Sequence, residues 1–200
     1  MYRRKDSFYT RAKAAGYRSR AAYKLIELDQ RFRLLRPGDR VVDLGAWPGG
    51  WLQVAAQRVS ARGRVVGVDL KPIDPLAPPV VCLTGDLRKV ETLALIRERC
   101  GGAADVVLSD MAPQLSGVRE ADRARAAELV EIALAAAEAV LRPDGRLLVK
   151  LFQGEETAGW LLRLRQRFSS VKATRPEATR SGSAELYVVA LGFRAQGQPS

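Results

Sequence analysis

Lys150 sits in Arg146-Leu147-Leu148-Val149-Lys150-Leu151-Phe152, a charge inside an otherwise apolar strand pattern. Burying an ammonium is costly unless carboxylates pair with it or it gives up its proton. Either outcome suits a group that moves protons. The sequence has no histidine. Histidine bases, His-containing zinc sites and His-paired nucleophiles are therefore excluded, and lysines and carboxylates must carry any proton transfer. Four of those carboxylates share a kind of position: Asp43, Asp69, Asp86 and Asp110 each stand at the end of an apolar run, while Glu185 opens the last such run.

The stretch from Val41 to Leu52, with Gly45, Pro48, Gly49 and Gly50 in its middle, reads as a buried strand, a tight turn and a helix start. Its glycines do not match the Gly-x-Gly-x-x-Gly spacing of dinucleotide sites, which argues against an NAD-dependent oxidoreductase. Asp69 ends the following strand, twenty residues after Gly49, where a ribose diol would be held. A strand-to-helix turn that binds nothing is the bland alternative. Asp69 in register shifts the balance towards adenosine.

The elements that must position these groups alternate. Strands are expected at 41–44, 64–70, 80–83, 104–110, 146–152, 171–174 and 184–193, with helices at about 90–99, 120–141 and 157–168. Ser19 is expected to N-cap a helix reaching about Arg33, whose stripe Ala21, Leu25, Leu28 and Phe32 docks on the sheet and leaves Lys24 at its flank. Leu35 to Arg40 and Leu141 to Arg146 both read as helix-to-strand turns. The pattern predicts an α/β fold: a doubly wound, mostly parallel, seven-stranded Rossmann-like sheet. Ligands in such sheets bind beyond the carboxyl ends of the strands, where the aspartates gather. An antiparallel last strand would bring Glu185 to the same edge.

The 200 residues, 47% of them hydrophobic, favour one domain spanning 1–200, with a basic N-terminal segment and helix over 1–40 and a polar tail, 194–200, expected to be disordered. Thirty-three Lys and Arg against twenty-two Asp and Glu give a net charge of +11. Twelve basic and four acidic residues fall within 1–40, interleaved with Tyr2, Phe8, Tyr9, Tyr17, Tyr23 and Phe32. Such a mixture suits phosphate contacts and base stacking, so a polyanion is the expected partner. Its bland counterpart is a solvated basic arm with core aromatics. Cys82 and Cys100 are too few for a zinc cage or a disulfide framework, and no run approaches the ~18 apolar residues of a membrane span. A soluble, cytoplasmic protein is expected.

Five separated motifs now occur in order: Ser19-Arg20-Ala21-Ala22-Tyr23-Lys24-Leu25, the Asp43 to Trp51 turn, Ser109-Asp110-Met111-Ala112-Pro113, Val149-Lys150-Leu151-Phe152-Gln153-Gly154 and Ser183-Ala184-Glu185-Leu186-Tyr187. Together, from about Phe8 to Gly192, the chain resembles the FtsJ-type ribose 2′-O-methyltransferases. The resemblance implies a catalytic set of Lys24, Asp110, Lys150 and Glu185. It also implies S-adenosylmethionine as cofactor, contacted by Gly45, Gly49, Trp51, Asp69, Asp86 and Asp110, with no metal. The implied reaction is methyl transfer to a ribose 2′-hydroxyl, on a uridine of 23S ribosomal RNA in the large ribosomal subunit. Transfer RNA is the alternative, because the wider family modifies anticodon loops. Lys150 is the expected base, with Asp110 and Glu185 orienting the lysines and the hydroxyl, and a monomer without an obligate protein partner is expected. A non-catalytic RNA-binding module on the same fold is the further alternative, against which the intact Lys24, Asp110, Lys150 and Glu185 weigh. One departure stands out: Trp47 replaces a residue that is usually small in the family, commonly alanine. Its indole could pack on adenosine, face RNA or cover the sheet edge.

Overall fold

A computed structural model describes residues 7–114, 116–179 and 182–195. The basic residues Arg3, Arg4 and Lys5 and most of the expected tail lie outside the described residues. In chain order the elements are α1 (Ser7–Ala14), α2 (Ala22–Phe32), β1 (Arg40–Leu44), α3 (Gly50–Val59), β2 (Arg64–Asp69), β3 (Val80–Thr84), α4 (Val90–Cys100), β4 (Ala104–Ser109), α5 (Arg119–Val140), β5 (Leu141–Phe152), α6 (Thr157–Arg167), β6 (Phe168–Thr174) and β7 (Glu185–Phe193). They build one sheet of order β3-β2-β1-β4-β5-β7-β6. Strands β1 to β5 pair in parallel, and β7 runs antiparallel between β5 and β6. This is the expected seven-stranded, doubly wound sheet. Its strand order reverses between β1 and β4, which opens a crevice at their carboxyl ends.

The strand residues alternate between two cores. Val42, Val66, Val107, Leu147 and Val149 face a layer made by α4, α5 and α6. Val41, Val65, Val106, Leu148, Tyr187 and Val189 face α2 and α3. Leu25 and Leu28 of α2 are wholly buried in that second core, each contributing about 1.5–3 kcal/mol by burial. The two-residue pleat thus decides that Lys150, two residues after Leu148, emerges on the α2 side. Cross-strand register puts Tyr187 opposite Lys150. Glu185, two residues before Tyr187, shares that face.

Three local expectations are corrected. Helix α2 starts at Ala22 with Ala21 as its N-cap and no side-chain cap. The Ser19, Arg20 and Ala21 carbonyls accept the Ala22, Tyr23 and Lys24 N–H groups, so main-chain turns do the work expected of the Ser19 hydroxyl. The Leu141 to Arg146 segment belongs to β5, because the pairing with β4 shifts register: Ala104 faces Leu141 while Val106 faces Arg146, and the extra residues bulge. Helix α1 has no counterpart in the sequence reading.

Candidate active site

Four elements converge on the α2 side of the sheet's carboxyl edge. Lys24 Nζ donates to Glu185 Oε2 at 2.7 Å and to the Tyr187 hydroxyl at 2.8 Å. That hydroxyl donates to Asp110 Oδ1 at 2.6 Å. Lys150 Nζ lies 3.0 Å from the same Oδ1 and donates to the Asp110 carbonyl at 2.7 Å. The result is a continuous chain, Glu185 to Lys24 to Tyr187 to Asp110 to Lys150. The lysine side chains are only 6% and 3% exposed, whereas the carboxylates retain 20% and 19%. Two buried ammonium groups are therefore balanced by two carboxylates at the solvent side, as the cost of burying charge demands. Lys24, expected at a helix flank, reaches inward to the sheet edge, where Glu185 and Tyr187 receive its ammonium.

Tyr187 was not singled out as a site residue, yet it joins the two lysine–carboxylate halves. It is fully buried. Burial first, then the Asp110 carboxylate, raises its phenol well above the ordinary range, so the hydroxyl stays neutral and both accepts and donates. The signal in sequence was its spacing from Glu185, two residues along a strand and hence on one face.

Beside this chain, at the β1/β4 switch, lies a cleft of about 820 Å³ lined by Gly45, Trp47, Asp69, Asp86, Asp110 and Met111 among others. Its size is that of a small-molecule site. Gly45 has φ 74°, and a Cβ there would collide with the Met111 side chain, so only glycine lets the turn pass so close. Asp69 accepts the Trp47 and Lys71 main-chain N–H groups, at 3.0 and 2.9 Å. Asp86 is gripped by the Arg88 guanidinium, which with the Arg88 N–H holds its carboxyl down at about 2. Beneath the cleft Asp43 is buried with Oδ2 lacking a partner; burial, Asp110 and Asp69 together push its carboxyl upward.

Two residues expected to contact the cofactor, Gly49 and Trp51, are not among those lining this cleft. Gly49 (φ 108°) faces the Arg18 side chain, not the cleft. Trp51 is 3% exposed, and its indole N–H donates to the Ala21 carbonyl at 2.7 Å, pinning the start of α2 to α3. Both shape the turn from behind. Arg18, counted within the basic patch, donates to the Pro48, Asp74 and Pro75 carbonyls at 3.3, 2.6 and 2.8 Å. It straps the N-terminal segment to the glycine turn, and those donors are spent before any phosphate arrives.

Residues 17–193 match the family model of the FtsJ-like methyltransferases. The chain is 51% identical to the ribosomal RNA large subunit methyltransferase E of Azoarcus sp., over 94% of this chain and 92% of that one. It is likewise 51% identical to the protein of that name from Methanothrix thermoacetophila, over 92% of this chain and 71% of that one. Among solved structures, a Plasmodium falciparum protein described as a ribosomal RNA methyltransferase superposes with a TM-score of 0.76 at 30% identity, covering 90% of this chain and all of that one. Aeropyrum pernix fibrillarin, solved with S-adenosyl-L-methionine, shares the fold at a TM-score of 0.59 and 18% identity, over 88% of this chain and 75% of that one. Sequence, fold and the order of the motifs agree: the chain belongs to the FtsJ-like methyltransferases.

Proposed function

We propose that this methyltransferase acts on the ribose 2′-hydroxyl of large-subunit ribosomal RNA, a uridine of 23S RNA, with S-adenosylmethionine as methyl donor. The observation that carries the reading is the buried chain of Lys24, Tyr187, Asp110, Lys150 and Glu185 at the edge of a cofactor-sized cleft. The relatives' names favour ribosomal over transfer RNA.

The residues present fit the cofactor. Asp69 and Asp110 concentrate negative charge at the cleft and, together with burial, push the carboxyl of Asp43 beneath it upward, one Asp43 oxygen being unpartnered. A ligand bearing an ammonium and a sulfonium relieves that charge. Asp69 would hold the ribose hydroxyls and Asp86 the adenine end, while the Gly45 turn gives close approach to backbone. When bound, S-adenosylmethionine supplies an electrophilic methyl group on its sulfonium. The protein's part is to orient and to move a proton. With a sulfonium docked nearby, the resting Lys150 ammonium would give up its proton to solvent. The free amine would then take the proton of the 2′-hydroxyl as that oxygen bonds to the methyl carbon and the methyl–sulfur bond breaks, leaving S-adenosylhomocysteine, and the Asp110 carboxylate and carbonyl would receive the resulting ammonium. Lys24 and Glu185 hold the ribose in place from the far side of Tyr187. A cytoplasmic setting follows from the substrate.

Single-turnover methylation of undermodified large subunits tests this. Lys150→Ala should lose ~10²–10⁴-fold in rate while retaining cofactor affinity. Lys150→Arg should be nearly as slow, since a guanidinium keeps its proton. A fast arginine variant removes Lys150 as the base.

A further inference from the structure

Of the three tryptophans, Trp51 and Trp160 are buried, and their indole N–H groups donate to the Ala21 carbonyl and to Glu131 Oε1, both at 2.7 Å. Trp47 is different. It is 51% exposed, belongs to neither core, and its indole N–H has no partner among the described residues. The ring's one recorded partner among the described residues is a surface cation. It forms part of the cleft wall together with Leu70, itself 68% exposed, and Lys71. The Lys71 ammonium lies 4.7 Å from the Trp47 ring centroid.

This cluster is held in place from below. One Asp69 carboxylate oxygen accepts the Trp47 N–H and the other the Lys71 N–H. The two loops that carry the exposed ring and the cation are thus locked side by side before any ligand arrives. A fixed, solvent-facing aromatic plane with an adjacent cation has a specific complement: a flat π-system joined to a phosphate. In a protein of net charge +11, single-stranded RNA offers that combination at every nucleotide. The cofactor's own nucleoside has no phosphate for Lys71. Its anchors would be the carboxylates of Asp69 and Asp86.

We infer that Trp47 is a stacking platform for a base of the RNA substrate at the mouth of the cleft, with Lys71 taking the neighbouring phosphate. The inference rests on the proposed RNA methyltransferase function and adds a residue that selects how the RNA enters. Stacking of a splayed base tolerates many sequences, so the platform contributes affinity and orientation for unpaired RNA.

The experiment compares wild type with Trp47→Ala and Trp47→Phe in methylation of undermodified large subunits and of a single-stranded 23S fragment, alongside calorimetry with S-adenosylhomocysteine. Trp47→Ala should raise KM for the RNA by roughly 5- to 140-fold, the equivalent of about 1–3 kcal/mol per stacked base at 1.4 kcal/mol per decade. The effect should fall on KM more than on kcat, Trp47→Phe should recover most of it, and S-adenosylhomocysteine affinity should change less than about twofold. Because the other two indoles are buried, binding of the oligonucleotide should also quench the solvent-accessible tryptophan emission of the wild type, and addition of S-adenosylhomocysteine alone should not. A Trp47→Ala variant that binds the cofactor analogue poorly but RNA normally would overturn the inference, showing that the ring covers adenosine; unchanged KM in both variants, or no quenching by RNA, would overturn it too. If wild type methylates no RNA while the oligonucleotide still quenches Trp47, the proposed activity fails and the platform survives.

Discussion

Replacing Tyr187 by phenylalanine removes one oxygen from the centre of the lysine–carboxylate chain. That oxygen accepts from Lys24 at 2.8 Å and donates to Asp110 at 2.6 Å, in a side chain with no exposure to water. Hydrogen bonds to charged groups contribute about 1.5–3 kcal/mol each. Lys24 keeps Glu185 and Asp110 keeps Lys150, so neither charge is orphaned, and the lower part of the range applies: about 3–4 kcal/mol for the pair. For a domain of this length the midpoint should fall by roughly 6–16 °C. Catalysis should suffer separately. With the bridge gone, Lys24 and Glu185 are no longer tied to Asp110 and Lys150, and loss of registry should cost ~10–100-fold in kcat. Cofactor affinity should hold, since Tyr187 does not line the cleft. Thermal unfolding, calorimetry with the cofactor and single-turnover methylation measure the three quantities. A variant with an unchanged midpoint and an unchanged kcat would refute the reasoning, showing that the hydroxyl neither stabilises nor positions the set.

Other outcomes follow from the same geometry. Asp43 holds its proton to higher pH in the folded chain than its ordinary 3.8, so stability without cofactor should decline as pH rises above that value, and Asp43→Asn should flatten the decline in a pH series of unfolding midpoints. Arg18→Ala frees the Pro48, Asp74 and Pro75 carbonyls; it should lower the midpoint and weaken cofactor binding, while the slope of log RNA affinity against log salt stays near wild type. Asp69→Ala should weaken cofactor binding by roughly 1.5–3 kcal/mol, read by calorimetry.

The aspartates at the sheet edge were legible in the sequence because each follows a β-branched run whose period fixes a strand, and a parallel sheet must gather those ends together. Lys150 was legible for the converse reason, as a charge where the pattern demanded an apolar side chain. Tyr187 was legible only in part: its spacing from Glu185 puts both on one face, but its place opposite Lys150 is a matter of register between residues 37 apart in sequence, which no local pattern encodes. Arg18 was misread because a charge count cannot distinguish a guanidinium in water from one that has found three carbonyls. Ser19 failed as a cap because main-chain carbonyls had already satisfied the first turn.

The position of β7 has a consequence for how the protein comes into being. Translation delivers Lys24, Asp110 and Lys150 early, but Glu185 and Tyr187 arrive on the strand made last, which must slide between β5 and β6. Until it does, two ammonium groups share a single carboxylate, and β5 and β6 each present an open edge that invites pairing with the wrong chain. A growing polypeptide therefore completes its lysine–carboxylate chain, and covers the inner edges of β5 and β6, in one late event.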